Sequence, residues 1–229
     1  MSLYAIGDTH LSYGVNKPMD IFGGGWTDYL SKLNDGFSVL KAEDVCVICG
    51  DVSWGMTLEE ALPDFAYLDS LPGKKILLKG NHDYWWSSAK KMRDFLEKNH
   101  LTTISFLHNN CFVYSPEISL CGTKGWFYEE GKGSVHDKKL IDRECLRLEA
   151  SLKAAGGAEK LVFLHYPPVY GNYSCPEILS LLKQYDVRLC CSGHLHAESL
   201  RLAFYGKIGN TEFKCLSADA ISFKPCKIL

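Results

Sequence analysis

The stretch KKILLKGNHDYWW, residues 74–86, places a series of polar side chains directly after an apolar segment. The apolar run is residues 76–78, and a glycine, an amide, an imidazole and a carboxylate follow at residues 80–83. A strand buried on both faces has this apolar composition, and glycine lets the backbone turn sharply after it. The stretch therefore predicts a strand whose carboxyl end presents chemically active side chains.

The same arrangement follows four other apolar runs, so five predicted strands end in a potential metal ligand. All but one of the five ends carry an adjacent glycine. In open α/β sheets, ligands bind outside the carboxyl ends of the strands. We therefore expect these ends to form one site. The other four ends are Gly7-Asp8-Thr9-His10, Gly50-Asp51, His165 and Gly193-His194-Leu195-His196.

The side chains at these ends are aspartates, histidines and one asparagine. Oxygen and imidazole donors suit manganese, iron or zinc better than soft metals. Seven candidate ligands are too many for one tetrahedral site and suit two ions that share a carboxylate. The candidates are Asp8, His10, Asp51, Asn81, His165, His194 and His196.

The series D-x-H, G-D, G-N-H-D, H and G-H-x-H resembles the motifs of the calcineurin-like metallophosphoesterase superfamily. The motifs run from residue 7 to residue 196, and the whole chain is similar to a group of small bacterial predicted phosphohydrolases. Each motif alone is weak, but all of them in order at strand ends are highly specific. The resemblance implies a four-layer α/β/β/α sandwich, two packed mixed sheets flanked by helices, as a single domain over residues 1–229.

The resemblance also implies the ligands of two metal ions. The first ion would be bound by Asp8, His10, Asp51 and His196. The carboxylate of Asp51 would bridge the ions. The second ion would be bound in addition by Asn81, His165 and His194. The nucleophile would be a hydroxide that bridges the ions, because bound metals lower the pKa of water.

By the same resemblance, His82 would be catalytic without binding metal: it would face the phosphate and offset charge in the transition state. In the phosphoprotein phosphatases of the superfamily, the second motif continues as G-D-x-x-D-R-G, and its later aspartate orients this histidine. Here residues 50–55 read GDVSWG, without that aspartate and arginine. The difference argues against a protein phosphatase. It leaves the partner of His82 open, with Asp83 adjacent in sequence.

Composition sets further bounds. The chain has 229 residues and a formal net charge of -2, so it has no general basic field for nucleic acid. Its N-terminus lacks the charged start and apolar run of a signal peptide, and its apolar runs are shorter than the about 20 residues of a membrane-spanning helix. We expect a cytoplasmic protein with no nucleic acid or membrane partner, and with its ten cysteines reduced and mostly buried.

Periodicity predicts the secondary structure. Helices are expected at 28–40, 87–98, 138–155 and 176–185. After Thr57 a capping box begins a helix, but Pro63 is expected to break it after a short first turn, with a restart at the proline. Strands are expected at 3–6, 45–49, 75–78, 104–107, 112–114, 118–121, 161–164, 187–191, 202–207, 212–216 and 222–223.

Aromatic residues beside the motifs are candidates for substrate binding. Three consecutive aromatics cannot all face inward from one regular element, so at least one is expected to border the site. There it could stack on a base or another planar leaving group. Trp126 could join them, although packing in the core is an equal expectation. The candidates are Trp54, Tyr84, Trp85 and Trp86.

Two glycine-bearing segments are expected near the site. Residues 13–26 follow the first motif and are expected to form part of the rim. Residues 125–137 read GWFYEEGKGSVHD and suggest a flap. Lysines in and around the flap could attract an anion, but nearby acidic groups dilute their charge. The lysines are Lys124, Lys132, Lys138 and Lys139, and the acidic groups are Glu129, Glu130 and Asp137.

The leading expectation is a dinuclear metal-dependent phosphoesterase that hydrolyses a phosphate ester of a small molecule. A phosphodiesterase or nuclease at the same site is one alternative, and a non-catalytic metal-binding scaffold is another. A metallo-β-lactamase-like hydrolase is disfavoured because no H-x-H-x-D-H run is present. The substrate, the native metal and the oligomeric state stay open.

Overall fold

The computed structural model describes residues 1–127 and 135–229. Its first sheet has five strands in the spatial order β13–β1–β2–β3–β4, all parallel except the antiparallel edge strand β13. These strands are β1 (Leu3–Ile6), β2 (Val45–Ile48), β3 (Lys74–Leu77), β4 (Ile104–Phe106) and β13 (Cys226–Lys227).

The second sheet has six strands in the order β11–β12–β10–β7–β6–β5. Its four central strands are parallel and both edge strands are antiparallel. A short hairpin of β8 (Val169–Tyr170) and β9 (Tyr173–Ser174) follows β7. The six strands are β5 (Cys111–Ser115), β6 (Ile118–Thr123), β7 (Glu159–Leu164), β10 (Leu189–Ser192), β11 (Gly206–Ile208) and β12 (Thr211–Cys215).

The helices begin where the sequence offers caps. Thr57 Oγ1 accepts a hydrogen bond from Glu60 N at 3.2 Å, and Ser88 Oγ accepts one from Lys91 N at 3.3 Å. Three short 3-10 helices lie at Met19–Phe22, Gly24–Trp26 and Ala197–Leu202. The α-helices are α1 (Tyr29–Phe37), α2 (Leu58–Ser70), α3 (Ala89–Lys98), α4 (Val135–Ala154) and α5 (Pro176–Gln184).

The core is layered because alternate side chains of each strand face opposite sides of a sheet. Leu3 and Val47 of the first sheet share the buried layer between the sheets with Leu161 and Phe163 of the second. Helices α1 to α3 pack on the outer face of the first sheet, and α4 and α5 pack on that of the second. The predicted α/β fold with two packed mixed sheets flanked by helices is confirmed.

The cysteines follow the same layering. Cys46 lies in the layer under the outer helices, whereas Cys49 lies between the sheets, as the strand periodicity predicted. All ten cysteines are free thiols, and most of them are buried. Among the described residues no helix is long and apolar enough to span a membrane.

The predicted break at Pro63 is wrong, because α2 continues through it from Leu58 to Ser70. Proline has no N–H to donate to the carbonyl four residues earlier, here that of Glu59. Both residues lie on the exposed face of the helix, where water can replace the lost bond. The helix therefore tolerates the proline.

Two predicted strands are also wrong. Most of the segment 202–207 is not extended, since Ala197–Leu202 is a 3-10 helix and β11 begins only at Gly206. At 222–223 both residues have a positive φ, which a strand excludes. That turn instead buries the Phe223 ring against Trp26, with the ring centroids 5.0 Å apart.

Candidate metal centre

The strand-end segments meet at one edge of the molecule, between the two sheets. Within the first sheet, Asp8 N donates to Gly50 O at 2.9 Å, and within the second, Gly193 N donates to His165 O at 3.1 Å. The sheets are joined by His194 N, which donates to Asp8 Oδ2 at 2.9 Å. The topology thus brings the carboxyl ends of β1, β2, β3, β7 and β10 together.

A first group of donor atoms comes from Asp8, His10 and His196. His196 Nε2 lies 3.2 Å from Asp8 Oδ1 and 3.4 Å from His10 Nε2. The donor atoms of these three residues all lie within 4.8 Å of one another. This spacing is suitable for binding one cation.

A second group comes from Asn81, His165 and His194. Asn81 Oδ1 lies 2.6 Å from His165 Nε2 and 3.0 Å from His194 Nδ1. The two histidine nitrogens are 3.2 Å apart. All of the candidate ligands from these two groups come from the strand-end motifs.

The carboxylate of Asp51 lies between the groups. Its Oδ2 is 3.8 Å from His10 Nε2 in the first group and 3.6 Å from His165 Nε2 in the second. Its Oδ1 accepts a hydrogen bond from the backbone N–H of His82 at 2.8 Å. One oxygen is therefore held by the chain while the other faces both groups.

The tautomer of His165 tests whether this site fits a metal. His165 Nδ1 lies 3.0 Å from the carbonyl oxygen of Cys49, which can only accept, so Nδ1 carries the hydrogen. Burial lowers the pKa of His165, so the ring is neutral and Nε2 presents a lone pair. That lone pair points at other acceptor atoms of Asn81 and Asp51. A cation among them removes the repulsion, so the donor set fits a metal.

The charges point the same way. Burial, and then the neighbouring Asp8, raise the pKa of Asp51 to about 7. Burial opposes ionisation of Asp8 as well, but the imidazoles of His196, His165 and His10 hold its pKa well below the usual range. Burial would lower the pKa of His196, yet Asp8 and then Asp219 raise it to about 10. The site therefore favours positive charge.

Glycines give the carboxylates the room they need. A Cβ on Gly80 would lie 2.0 Å from Asp51 Oδ1, and one on Gly193 would lie 2.3 Å from Asp8 Oδ2. No side chain can approach so closely, so only glycine fits at either position.

Four of the candidate ligands have a strained backbone conformation. Left-handed φ values occur at Asp8 (59°), His10 (44°), Asp51 (50°) and His194 (72°). None of them is glycine, and such a conformation is costly for other residues and clusters at functional sites. The surrounding hydrogen bonds, such as that from His10 N to Asp51 O at 2.9 Å, hold it in place.

His82 lies at the side of this cluster. Its ring centroid is 5.8 Å from that of His10, 4.5 Å from that of Trp54 and 6.3 Å from that of Tyr84. In the part of the chain that the structure describes, no side chain forms a hydrogen bond with the ring of His82. The ring is half-buried at the mouth of the site.

Asp83, the neighbour that sequence left as a possible partner of His82, is engaged elsewhere. Its Oδ1 accepts hydrogen bonds from Val52 N at 2.8 Å and Trp85 Nε1 at 3.0 Å. Its Oδ2 accepts one from Gly80 N at 2.7 Å. This fully buried carboxylate therefore fastens the second motif to the third and supports the loops that carry Asp51 and Asn81.

The candidate aromatics lie in different environments. Trp54 stacks on His10 with the ring centroids 4.9 Å apart, and Tyr84 is exposed beside His82. Trp85 is 2% exposed in the core, packed against Phe65, so its surroundings are those of a packing residue. Trp86 is half-buried and donates through Nε1 to His108 Nδ1 at 3.3 Å. Of the four candidates, Trp54 and Tyr84 flank His82.

The two glycine-bearing segments can be placed only in part. Residues 13–26 form part of the rim, where Trp26 packs against His10 and His196 at centroid distances of 5.8 and 5.6 Å. Lys17 Nζ from the same segment lies 5.4 Å from the Trp54 ring centroid. Glu129, Glu130 and Lys132 of the expected flap lie outside the described residues.

Sequence reasoning missed Asp219. Its Oδ1 lies 3.2 Å from His196 Nδ1, and its Oδ2 accepts a hydrogen bond from Ala197 N at 2.8 Å. A carboxylate on the far nitrogen of a ligand histidine orients the ring. Asp219 follows the end of β12, so the strand-end pattern could have found it, but no glycine marks it.

The fold and the donor set together define a metal-dependent hydrolase of phosphate esters, and comparison with known proteins agrees. The sequence model of the calcineurin-like phosphoesterase family matches residues 1–198. The chain belongs to this family and is a metal-dependent phosphoric ester hydrolase. Membership implies divalent metal ions and a phosphorylated substrate. No curated protein matches the chain in sequence.

Several solved structures are similar to this chain. The phosphopantetheinyl hydrolase from Mycobacterium tuberculosis has a TM-score of 0.62 at 13% identity, covering 100% of this chain and 95% of that one. Protein TT1561 of Thermus thermophilus has a TM-score of 0.58 at 14% sequence identity, and the match covers 98% of this chain and 96% of that one. A protein of unknown function from Aquifex aeolicus has a TM-score of 0.52 at 17% sequence identity, and the match covers 99% of this chain and 95% of that one. At such identities the likeness supports the fold alone.

Proposed function

We propose that this chain hydrolyses a phosphate ester of a small molecule at a centre of two metal ions. The observation that carries the proposal is the position of Asp51 Oδ2, 3.8 Å from His10 Nε2 and 3.6 Å from His165 Nε2. A single carboxylate oxygen between two groups of donor atoms is the arrangement that a bridging ligand requires.

The ligands divide as the two groups do. One ion would be held by Asp8, His10 and His196, and the other by Asn81, His165 and His194, with Asp51 shared. The neutral amide of Asn81 adds no negative charge to a centre that must accept an anionic phosphate. When bound, the ions would activate a water molecule and polarise the phosphoryl group. Manganese, iron and zinc all suit this donor set.

His82 would act on the substrate from the open side of the centre. Burial, and then the neighbouring imidazoles of His165 and His196, lower the pKa of His82, so its ring is neutral near pH 7. A neutral imidazole offers one N–H donor. We infer that His82 donates this hydrogen bond to the phosphate or to the leaving oxygen.

The residues at the rim of the site suit a substrate with a planar or anionic leaving group. Trp54 stacks on His10 and flanks His82, and Tyr84 is exposed on the other side of His82. Lys17 Nζ lies over the Trp54 ring at 5.4 Å. An aromatic face with a cation beside it suits a flat, negatively charged group. We also propose that residues 1–229 form a single domain around this site.

The proposal is tested by turnover of p-nitrophenyl phosphate and of its bis-ester by manganese-reconstituted protein. His82→Ala is expected to lower kcat by about 10²–10⁴-fold, the usual contribution of a proton donor, with metal content retained. Asp51→Asn is expected to lose both metal and turnover. His136→Ala, an exposed histidine on α4, is the matched control and is expected to behave as wild type.

Wild-type rates in His82→Ala would contradict its role, and full metal content in Asp51→Asn would contradict the bridge. The ratio of the two wild-type rates decides between a monoesterase and a diesterase. Metal binding by the wild-type protein without turnover of either ester would favour the alternative of a non-catalytic metal-binding scaffold.

A further inference from the structure

A cavity lies beside the metal centre, and none of the residues that line it is a candidate ligand or His82. It encloses about 180 Å³ at the carboxyl ends of β3, β4 and β6. Basic and aromatic side chains dominate its wall, namely Lys79, Trp86, His108, Lys124 and Arg147. The cavity therefore combines positive charge with hydrogen-bond donors.

The acidic group next to this cavity is already engaged. Glu144 on α4 is 1% exposed and accepts hydrogen bonds from Arg147 Nη1 and Thr123 Oγ1, both at 2.6 Å. One carboxylate is thus balanced by one guanidinium. No acidic side chain among the described residues forms an ion pair with the ammonium groups of Lys79 and Lys124.

Neither lysine has a protein acceptor among the residues that the structure describes. Within residues 1–127 and 135–229, neither Lys79 nor Lys124 forms a hydrogen bond or an ion pair through Nζ. Lys124 Nζ instead lies 4.6 Å from the Trp126 ring centroid and 5.5 Å from that of Tyr166. Both side chains are partly buried. A partly buried ammonium group without an acceptor is unfavourable, and a bound anion would relieve it.

His108 adds a neutral donor. Its Nδ1 lies 3.3 Å from Trp86 Nε1, and an indole N–H can only donate. The Nδ1 atom must therefore accept, which leaves the hydrogen of the neutral ring on Nε2. Burial, and then the charge of Arg147, lower the pKa of His108 and keep the ring neutral. The donors around the cavity thus come from four side chains.

The walls of the cavity are connected to the metal centre. Lys79 directly precedes Gly80 and Asn81, and the carbonyl of Lys124 accepts hydrogen bonds from His165 N at 3.1 Å and Tyr166 N at 2.9 Å. Tyr166 in turn packs on His194, with the ring centroids 4.4 Å apart. An anion in the cavity would lie directly behind loops that carry candidate ligands.

We propose that this cavity binds a phosphate-type oxyanion, distinct from the phosphate that the metal centre hydrolyses. Its volume is below the about 300 Å³ at which pockets for drug-sized ligands begin, so it suits a single tetrahedral oxyanion and not a nucleotide. The oxyanion is either a second phosphate group of the substrate or free inorganic phosphate.

Calorimetric titration with inorganic phosphate tests the proposal on the metal-loaded full chain. Wild type is expected to show two classes of phosphate-binding site. In Lys79→Met/Lys124→Met, the phosphate affinity of one class is expected to fall at least tenfold. Asp51→Asn is expected to keep the class that the lysines carry, so a failure of the metal assignment stays distinguishable. The control Lys91→Met/Lys98→Met removes two exposed lysines of α3 and is expected to keep both classes.

The double variant also tests its own premise. Removal of two partly buried charges that have no hydrogen-bond acceptor among the described residues is expected to leave the melting temperature equal to or above that of wild type, measured without phosphate. A lower melting temperature would show that the lysines have structural partners and would overturn the proposal. So would a single phosphate class in wild type, or two classes of unchanged affinity in the double variant.

Kinetics separate the two sources of the oxyanion. If the cavity takes a second phosphate of the substrate, the double variant raises KM for a sugar bisphosphate about tenfold and leaves KM for the matching monophosphate as in wild type. If the cavity takes free phosphate, both KM values stay as in wild type and the calorimetric loss stands alone. Either pattern, together with that loss, supports the oxyanion site.

Discussion

Asp51 and Asp219 act on the candidate centre from opposite directions. Asp51 faces the donor groups directly, whereas Asp219 reaches the centre only through the ring of His196. Oxygen and nitrogen donors bind metal well only when their orientation is fixed, which is why carboxylates behind ligand histidines matter. We therefore expect the metal affinity of the candidate site to depend also on groups that do not touch the metal.

Asp219→Asn is expected to weaken metal binding by about 10–100-fold, the usual effect of removing the carboxylate behind a ligand histidine. Turnover is then expected to recover at high metal concentration, because no ligand is lost. Activity measured across a manganese titration gives the apparent affinity. Asp142→Asn, an exposed carboxylate paired with Lys138, is the control. An unchanged manganese requirement in Asp219→Asn would refute the positioning role.

At the residue scale, the sequence identified the groups that follow a strand and a glycine. Asp8, Asp51 and Asn81 belong to this class because glycine marks a close backbone approach. Asp219 was missed because it stands three residues beyond the predicted strand 212–216 and no glycine precedes it, whereas His165 directly follows its strand. The role of Asp83 was hidden because neighbours in a turn face different ways, and its bonds to Val52 and Gly80 are set by tertiary contacts.

Among the elements, α2 is attached to the motif loops by one buried carboxyl group. Asp64 accepts a hydrogen bond from Tyr13 N at 2.7 Å and a short one from the hydroxyl of Ser53. Tyr13 follows the first motif and Ser53 the second. This helix therefore helps to hold both loops that carry candidate ligands.

Burial raises the pKa of Asp64 from its ordinary 3.8 to about 6. The folded chain thus binds this proton more tightly than the unfolded chain, so its contribution to stability is full below about pH 4 and is lost as the pH rises through 6. Asp64→Asn is expected to remove this loss of stability with rising pH. Free energies of unfolding from urea titrations between pH 4 and 7 measure it.

The matched control for Asp64→Asn is Asp35→Asn, an exposed aspartate on α1 that is expected to keep the wild-type pH dependence. If Asp64→Asn also keeps that dependence, the proton on Asp64 does not contribute to the stability of the fold.

The elements were predicted well where local signals agree with packing. The caps at Thr57 and Ser88 are local and start α2 and α3. The turn at 222–223 was missed because its apolar residue suggests a strand, whereas the burial of Phe223 against Trp26 is a long-range contact. Pro63 was misjudged because its effect depends on which face of the helix is exposed.

On the scale of the whole molecule, the centre lies where two sheets meet. Neither sheet alone supplies all of the candidate ligands: Asp51 and Asn81 follow strands of the first, and His165 and His194 follow strands of the second. The family resemblance predicted the two-sheet architecture, but the spatial order of the strands depends on non-local pairing that periodicity does not encode.

The overall charge bears on the choice of substrate. A net charge of -2 gives no extended positive field to hold a nucleic-acid backbone. The protein is therefore expected to cleave single-stranded DNA at least about 100-fold more slowly than p-nitrophenyl phosphate or its bis-ester at low salt. Comparable rates, with loss of the DNA activity in Asp51→Asn to exclude a contaminant, would favour the nuclease alternative.

Whether two metal ions share Asp51 is tested by the number of manganese ions that each chain binds at full turnover. Chelator-treated protein is titrated with manganese while bound metal and turnover of p-nitrophenyl phosphate are measured on the same samples. We expect no turnover without metal and full turnover at two ions per chain. Full turnover at one ion per chain, or turnover that survives complete removal of metal, would contradict this expectation.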